Sequence, residues 1–112
     1  MEIKSETQTK ARAIKLVAEE AGREIGRVYL YILTNDLHAE PFGFLEDLFV
    51  EEAYRKSGIG RQLVERAVAE AKQVGCYKLI CTSRFGRDHL YAWYEELGFK
   101  QHGVEFRMDF DH

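Results

Sequence analysis

The chain has 112 residues, of which 46% are hydrophobic and 31% charged, and it contains six tyrosines and seven phenylalanines. These values predict one folded domain over residues 1–112 and exclude a disordered chain, which would be poor in aromatic residues. The net charge of -3 gives no reason to expect a nucleic acid as partner, and no apolar run approaches the ~20 residues of a membrane span.

Three strands are predicted in the first half of the chain. Residues 1–10 are polar and lack the apolar core of a signal peptide, so we expect a cytoplasmic protein. Residues 11–19 predict a strand with Ile14, Leu16 and Ala18 on one face, residues 24–33 are rich in β-branched and aromatic residues, and the turn at 20–23 joins the two into a hairpin. Residues 43–50 predict the third strand.

The clearest helix pattern covers residues 59–74, where apolar residues keep to one stripe until Gly75 ends the pattern. Residues 77–82 predict a fourth strand. A second helix is predicted at residues 89–97, because apolar residues recur there at helical spacing and Asp88 is a suitable N-cap.

The last two predicted elements are short strands at residues 99–102 and 104–110, separated by Gly103. The element order is then βββ-α-β-α-ββ. The succession of strand, helix and strand between residues 43 and 82 implies one parallel crossover within a mostly antiparallel sheet. We therefore expect an α/β (α+β) fold with two main helices.

The sulfur and imidazole side chains show no pattern of a metal site. Cys76 and Cys81 lie five residues apart in a strand-like stretch, and an odd spacing places them on opposite faces. Buried free thiols are therefore expected rather than a disulfide. The four histidines are scattered without ligand spacing, so no metal is predicted.

The segment between the third strand and the first helix, residues 55–61, reads Arg-Lys-Ser-Gly-Ile-Gly-Arg. A helix start offers free N–H groups and a positive dipole end, and glycines let a phosphate approach them. The segment therefore predicts a phosphate cradle, with an ordinary glycine-containing turn as the alternative. It has neither the P-loop spacing nor G-x-G-x-x-G, which argues against a dinucleotide site.

Two separated motifs carry a family resemblance. L-x-V at 48–50, R-x-x-G-x-G at 55–60 and Leu63 together resemble motif A of the GNAT superfamily of N-acetyltransferases, whose pattern is Q/R-x-x-G-x-G/A. Residues 93–99, Trp-Tyr-Glu-Glu-Leu-Gly-Phe, are similar to the family's Y-E-x-x-G-F segment. The resemblance covers residues 43–108 in family order.

The resemblance implies acetyl-CoA as co-substrate, lying in a gap where the motif A strand splays from the next strand. The backbone of residues 48–50 would pair with the pantetheine arm as an added strand, and N–H groups from 56–61 would hold the pyrophosphate. The residues so implied are Leu48, Phe49, Val50, Arg55, Lys56, Ser57, Gly58, Ile59, Gly60 and Arg61.

The sequence departs from the family in two places. The N-terminal helix pair that walls the acceptor site is missing or reduced to residues 1–10, and Arg87 stands where the family often has asparagine. The first departure leaves the acceptor undefined and the site open to cover by a second subunit, which suggests a homodimer. The second leaves the CoA contact after the fourth strand undefined.

Transfer to an amine needs a base for the amine proton and an acid for the leaving thiolate. Tyr94 is the predicted acid, since it resembles the family tyrosine that faces the CoA sulfur; a purely structural role and Tyr91 are the alternatives. Glu46 is the predicted base, acting directly or through water, and is expected to share a strand face with Leu48 and Val50.

The assignment of Glu46 rests on its sequence context. The L-E-D-x-x-V run at 45–50 resembles that of polyamine and amino-sugar acetyltransferases, whose glutamate lies near the acceptor amine. Asp47, on the opposite strand face, is a candidate substrate contact. A solvated or ion-paired strand edge is the alternative for both carboxylates.

The sequence thus predicts an acyl-CoA-dependent N-acetyltransferase that transfers acetyl from acetyl-CoA directly to a primary amine. A polyamine or an amino sugar is the favoured acceptor. A protein-lysine acceptor, a non-catalytic acyl-CoA-binding module or sensor, and an interaction protein with an incidental glycine loop are the alternatives. Neither a nucleic acid nor a membrane is an expected partner.

Overall fold

The computed structural model describes residues 1–111 and divides them into two compact units, one from Met1 to Cys81 and one from Thr82 onward. The first unit holds a four-stranded sheet of order β1-β2-β3-β4 and one helix, and the second holds a shorter helix. The mixed, mostly antiparallel α/β fold with two helices is confirmed.

The predicted hairpin is present as β1, Arg12–Glu20, and β2, Arg23–Leu33. Both residues between the strands are left-handed, with φ of 52° at Ala21 and 76° at Gly22. This is the backbone of a two-residue type I′ turn, whose twist matches that of paired strands.

Strand β3, Phe42–Val50, pairs antiparallel with β2, and β4, Leu79–Ile80, pairs parallel with β3. The sequence prediction of a strand over 77–82 is too long, because the β3–β4 ladder contains only two residue pairs. Gly43 makes this pairing close: a Cβ there would lie 2.8 Å from Leu79 Cδ1. Cys76 therefore lies outside the strand, before β4.

Helix α1, Ile59–Val74, has the predicted bounds and covers one face of the sheet. Gly26 allows its close approach, since a Cβ there would lie 3.3 Å from Leu63 Cδ1. Gly75, at φ 93°, ends the helix and donates its N–H to backbone carbonyls of the last turn. The buried core consists of Ile25, Val28, Leu30, Ile32, Leu45, Leu63, Val64, Ala67 and Ala71.

Helix α2, Asp88–Glu96, forms where the second helix was predicted, but Asp88 is its first residue and not its N-cap. Arg87 holds the cap position, and its carbonyl accepts from the N–H groups of Leu90 and Tyr91. Asp88 still carries a negative charge in the first turn, where the helix dipole favours it.

The two predicted final strands are wrong for the described part of the chain: residues 99–111 contain no strand. The alternation that predicted a strand at 104–110 is real, but a strand exists only where its backbone bonds to a neighbour. Within residues 1–111, the sheet consists of β1, β2, β3 and β4 alone. No strand pairs with residues 104–110, so the apolar side chains of this segment stay exposed.

Candidate active site

Strand β3 contains a bulge at the predicted carboxylate pair. Tyr29 pairs with Glu46 and Arg27 with Phe49, so two residues of β3, Asp47 and Leu48, lie opposite one residue of β2. Asp47 is left-handed, with φ of 56°. Aspartate tolerates this conformation better than most residues, and a bulge takes the extra residue's backbone out of the ladder.

The bulge corrects the predicted strand face of Glu46. Cross-strand partners share a face, so Val50 lies on the α1 side with its partner Gly26, whereas Glu46 lies on the opposite side with Tyr29. The extra residue inverts the alternation between them. Glu46 therefore does not share a face with Leu48 and Val50, and it is exposed on the sheet face that α1 leaves uncovered.

The edge of β3 is free of β4 from Leu45 onward, because the β3–β4 ladder contains only the pairs of Gly43 and Phe44. Residues Leu48, Phe49 and Val50, predicted to pair with the pantetheine arm, lie on this free stretch. An edge with unpaired N–H and C=O groups is a template for an extended chain.

The Phe49 ring is held by two guanidinium groups. The guanidinium carbons of Arg27 and Arg55 lie 4.9 Å and 5.6 Å from its centroid. Arg55 also donates from Nε to the Val50 carbonyl at 2.8 Å. Arg55 thus connects the end of β3 to the loop that follows, and its Nε–H is already used in the bond to the Val50 carbonyl.

The loop between β3 and α1 has two left-handed residues. After a 3₁₀ turn at Glu52–Tyr54, Lys56 has φ of 65° and Gly58 has φ of 87°. The Ser57 hydroxyl donates to the Tyr54 carbonyl, which fixes the turn. Arg55, before these residues, is extended, so the chain turns toward α1 through two left-handed residues two positions apart.

The start of α1 at Gly58 has open space beside it. Gly58 is the N-cap of α1, no side chain caps the helix, and a Cβ built on Gly58 would meet nothing within 4 Å. No acidic residue occupies the first turn. The N–H groups of Ile59 and Gly60 lack helical acceptors and lie at the positive dipole end, so the segment is suited to a phosphate.

The first unit therefore brings together the predicted acetyl-CoA residues at 48–50 and 55–61 with the carboxylates Glu46 and Asp47. Tyr94 and Tyr91 lie on α2 in the second unit. The Tyr94 ring packs edge-on against Trp93 and Phe99, at centroid distances of 5.0 Å and 5.7 Å.

The fallback residue Tyr91 has a defined structural contact: its hydroxyl donates to the Arg84 carbonyl at 2.6 Å. This bond fixes the turn before α2 and engages the proton that an acid would have to deliver.

The two cysteines are free and half-buried. Burial raises the pKa of the Cys81 thiol to about 11, and it also raises the pKa of Cys76. Both thiols are therefore protonated at neutral pH and are weak nucleophiles. Within residues 1–111, no group of three or more histidine, cysteine or acidic side chains is placed to hold a metal ion.

None of the helices within residues 1–111 is long and apolar enough to cross a membrane.

Two features of the site escaped the sequence analysis. The bulge at Asp47 breaks the period of two, and its only local signal is an aspartate, a residue that accepts left-handed backbone, inside an apolar strand. The contact of Arg27 with Phe49 joins residues far apart in sequence and depends on the bulged register.

A free strand edge and an uncapped helix start with a left-handed glycine are features of an α/β protein that suit an extended, phosphate-bearing ligand. Comparison with known proteins identifies which one: residues 3–99 match the Acetyltransferase (GNAT) family. The chain belongs to this family.

Relatives of the chain include two classes of acetyltransferase. It is 30% identical over 92 residues to a glucosamine 6-phosphate N-acetyltransferase of Trypanosoma brucei brucei, covering 81% of this chain and 60% of that protein. It is 32% identical over 71 residues to an aminoglycoside N(6')-acetyltransferase type 1 of Acinetobacter genomosp. 13, covering 63% of this chain and 49% of that protein.

The fold agrees with solved structures. An acetyltransferase from Trypanosoma brucei superposes with a TM-score of 0.78 at 29% identity, covering 88% of this chain and 69% of that one. The chain spans 60% of the length of the trypanosomal glucosamine 6-phosphate N-acetyltransferase and 49% of the length of the Acinetobacter enzyme.

Proposed function

We propose that the protein transfers an acetyl group from acetyl-CoA to a primary amine, with an amino sugar as the favoured acceptor. The proposal is carried by one observation: β3 has no β4 partner after Phe44, and the same strand leads into the loop that has open space at Gly58. Together the two features suit an extended ligand that carries a pyrophosphate.

The free edge of β3 would bind the pantetheine arm, through backbone groups of Leu48, Phe49 and Val50. The N–H groups of the turn from Lys56 to Gly60, with the α1 dipole, would hold the pyrophosphate. Arg55 positions this turn through its bond to the Val50 carbonyl. Acetyl-CoA itself supplies the acetyl group as an activated thioester.

Glu46 is the proposed general base. An alkylamine of lysine type has a pKa of ~10.4 and arrives protonated, so a group of the enzyme or a water has to accept its proton. The exposed Glu46 carboxylate is a proton acceptor beside Tyr29 and next to the bulge. Asp47 adds a second negative charge that favours a cationic acceptor.

Tyr94 is the proposed general acid for the leaving thiolate. A phenol of pKa ~10 remains protonated near neutral pH and can donate a proton to a thiolate of pKa ~8.5. Its support is the family motif at 93–99.

The choice of an amino sugar comes from the relatives. The names of the trypanosomal and Acinetobacter relatives specify glucosamine 6-phosphate and an aminoglycoside, both of which carry amines on sugar rings. Half-exposed tyrosine rings at positions 29 and 31 stack at 6.4 Å on the Glu46 face. Such rings provide flat apolar surface that suits a sugar ring.

The test is thiol release from acetyl-CoA in the presence of glucosamine 6-phosphate, an aminoglycoside, spermidine or a lysine peptide. We expect turnover with at least one amino sugar and none with glucose 6-phosphate, which has no amine. If the protein binds acetyl-CoA but turns over no amine, it is a non-catalytic binding module and the enzyme assignment is wrong. Turnover on spermidine or the peptide alone would overturn the amino-sugar assignment.

A further inference from the structure

The loop at residues 51–58, which leads from β3 to α1, contains a strained backbone. Lys56 is left-handed, with φ of 65°, although it has a Cβ. Such a conformation costs free energy and persists only where surrounding contacts hold it in place. The N–H groups proposed to bind the pyrophosphate begin at this residue, so the contacts that hold the loop also place those groups.

Glu51 joins the loop to β2 through both its backbone and its side chain. Its N–H donates to the Ile25 carbonyl at 2.8 Å. Its two carboxylate oxygens accept from one terminal nitrogen of Arg23, at 2.9 Å and 3.0 Å. Arg23 is the first residue of β2, so this ion pair spans 28 residues of sequence and connects the end of the hairpin to the loop.

Arg23 also faces both ends of the 3₁₀ turn in this loop. Glu51 is the N-cap of the turn and Tyr54 is its last residue. The Glu51 carboxylate, followed by the Tyr54 hydroxyl, raises the pKa of the Arg23 guanidinium, because both groups bond to the charged form. The Tyr54 carbonyl accepts from the Ser57 hydroxyl. A series of contacts therefore runs from Arg23 to the residue before the N-cap of α1.

We propose that Arg23 is a positioning residue for the CoA pyrophosphate. By bonding Glu51 and Tyr54 it fixes the 3₁₀ turn against the end of β2, and the turn sets the direction of the N–H groups from Lys56 to Gly60. Arg23 acts through the loop and does not touch the ligand. The inference rests on the proposed function, because it takes the loop to bind the pyrophosphate of CoA.

A positioning role differs from a role in stability alone. The Arg23 and Glu51 side chains are 61% and 34% exposed, and ion pairs between exposed side chains add little to stability. A role in stability alone would lower the melting temperature and leave the affinity of the folded protein unchanged. A positioning role raises the Kd for CoA at an unchanged maximal rate, because the phosphates bind equally in the ground state and the transition state.

The first experiment is titration calorimetry with CoA. Arg23→Glu replaces attraction by repulsion within the pair, so the Kd should rise about fivefold. The double variant Arg23→Glu/Glu51→Arg restores opposite charges and should recover most of the affinity. Lys15→Glu is the matched control, because it reverses the Lys15–Glu24 ion pair of 3.0 Å, which joins β1 to β2 and not to the loop. It should keep wild-type affinity.

The outcomes of the titration separate this inference from the proposed function. Wild-type affinity in Arg23→Glu, an equal loss in Lys15→Glu, or no recovery in the double variant would overturn the inference while CoA binding stands. If the wild-type protein does not bind CoA, the proposed function fails and the inference fails with it.

A donor without phosphates gives the second measurement. S-acetylpantetheine has the same thioester and the same arm as acetyl-CoA but no pyrophosphate. Arg23→Glu should raise the KM for acetyl-CoA about fivefold at unchanged kcat. It should leave kcat/KM for S-acetylpantetheine within about twofold of the wild-type value. A loss of equal size with both donors would show that Arg23 acts on the fold as a whole, and it would overturn the positioning role.

Discussion

At the scale of single residues, the decisive side chain is Glu46. Its carboxylate lies on the exposed sheet face rather than on the α1 face, so the base would meet its amine from the side of Tyr29. This position does not require burial of a charge, because water can reach the carboxylate and carry protons away from it.

Glu46→Gln tests this role, since it keeps the shape but removes basicity. We expect turnover near neutral pH to fall by ~10²–10⁴-fold, the usual contribution of a general base. Above about pH 10 an amine of lysine type loses its proton without help, so the variant should recover part of that loss. The measurement is a pH–rate profile with one good acceptor.

The neighbouring carboxylate provides the control. Asp47→Asn preserves a side chain that tolerates left-handed backbone, and it should alter the maximal rate much less than Glu46→Gln. A larger loss from Asp47→Asn, or parallel profiles for the wild type and Glu46→Gln, would remove Glu46 from the mechanism.

At the scale of elements, the bulge shows what strand periodicity can and cannot predict. The hairpin and α1 were predicted closely, because their signals lie within the element: a two-residue turn and a continuous apolar stripe. The face of Glu46 was predicted wrongly because one left-handed residue, Asp47, inverts every later side chain of β3. The strand prediction at 104–110 failed differently, because pattern alone does not supply a partner strand.

Substitutions of Asp47 measure the strain of the bulge. Asp47→Gly should leave stability unchanged or raise it by up to about 1 kcal/mol, because glycine has no Cβ to clash at φ 56°. Asp47→Val should lower stability by about 1–2 kcal/mol, because valine is branched at the strained position. Urea unfolding with unchanged slope gives both values.

Asp47→Asn again serves as reference and should resemble the wild type. The order of stability expected is Gly, then Asp and Asn together, then Val. If valine is as stable as glycine, residue 47 is not left-handed in solution, and Glu46 would return to the face of Leu48 and Val50.

At the scale of the whole molecule, ligand binding should appear as resistance to unfolding. The β3 edge and the cradle at Gly58 belong to one compact unit with the buried core, so CoA bound there stabilises the state that contains this core. A ligand at about one hundred times its Kd adds about 2.7 kcal/mol, or roughly 10 °C in the melting temperature of a small domain.

The sharpest form of this test compares two glycines that both have a left-handed φ and open space around the Cβ position. Gly58 and Gly22 both have positive φ, 87° and 76°, and a Cβ on either would meet nothing within 4 Å. Glutamate at either position should therefore impose a similar backbone cost, about 1–2 kcal/mol. Only Gly58→Glu places a negative charge where the pyrophosphate should lie, so this variant should lose the CoA-dependent shift in melting temperature. Gly22→Glu, in the β1–β2 turn, should melt lower without CoA but keep the full shift. Equal shifts in the two variants would show that CoA binds elsewhere and that the turn before α1 is only a connection.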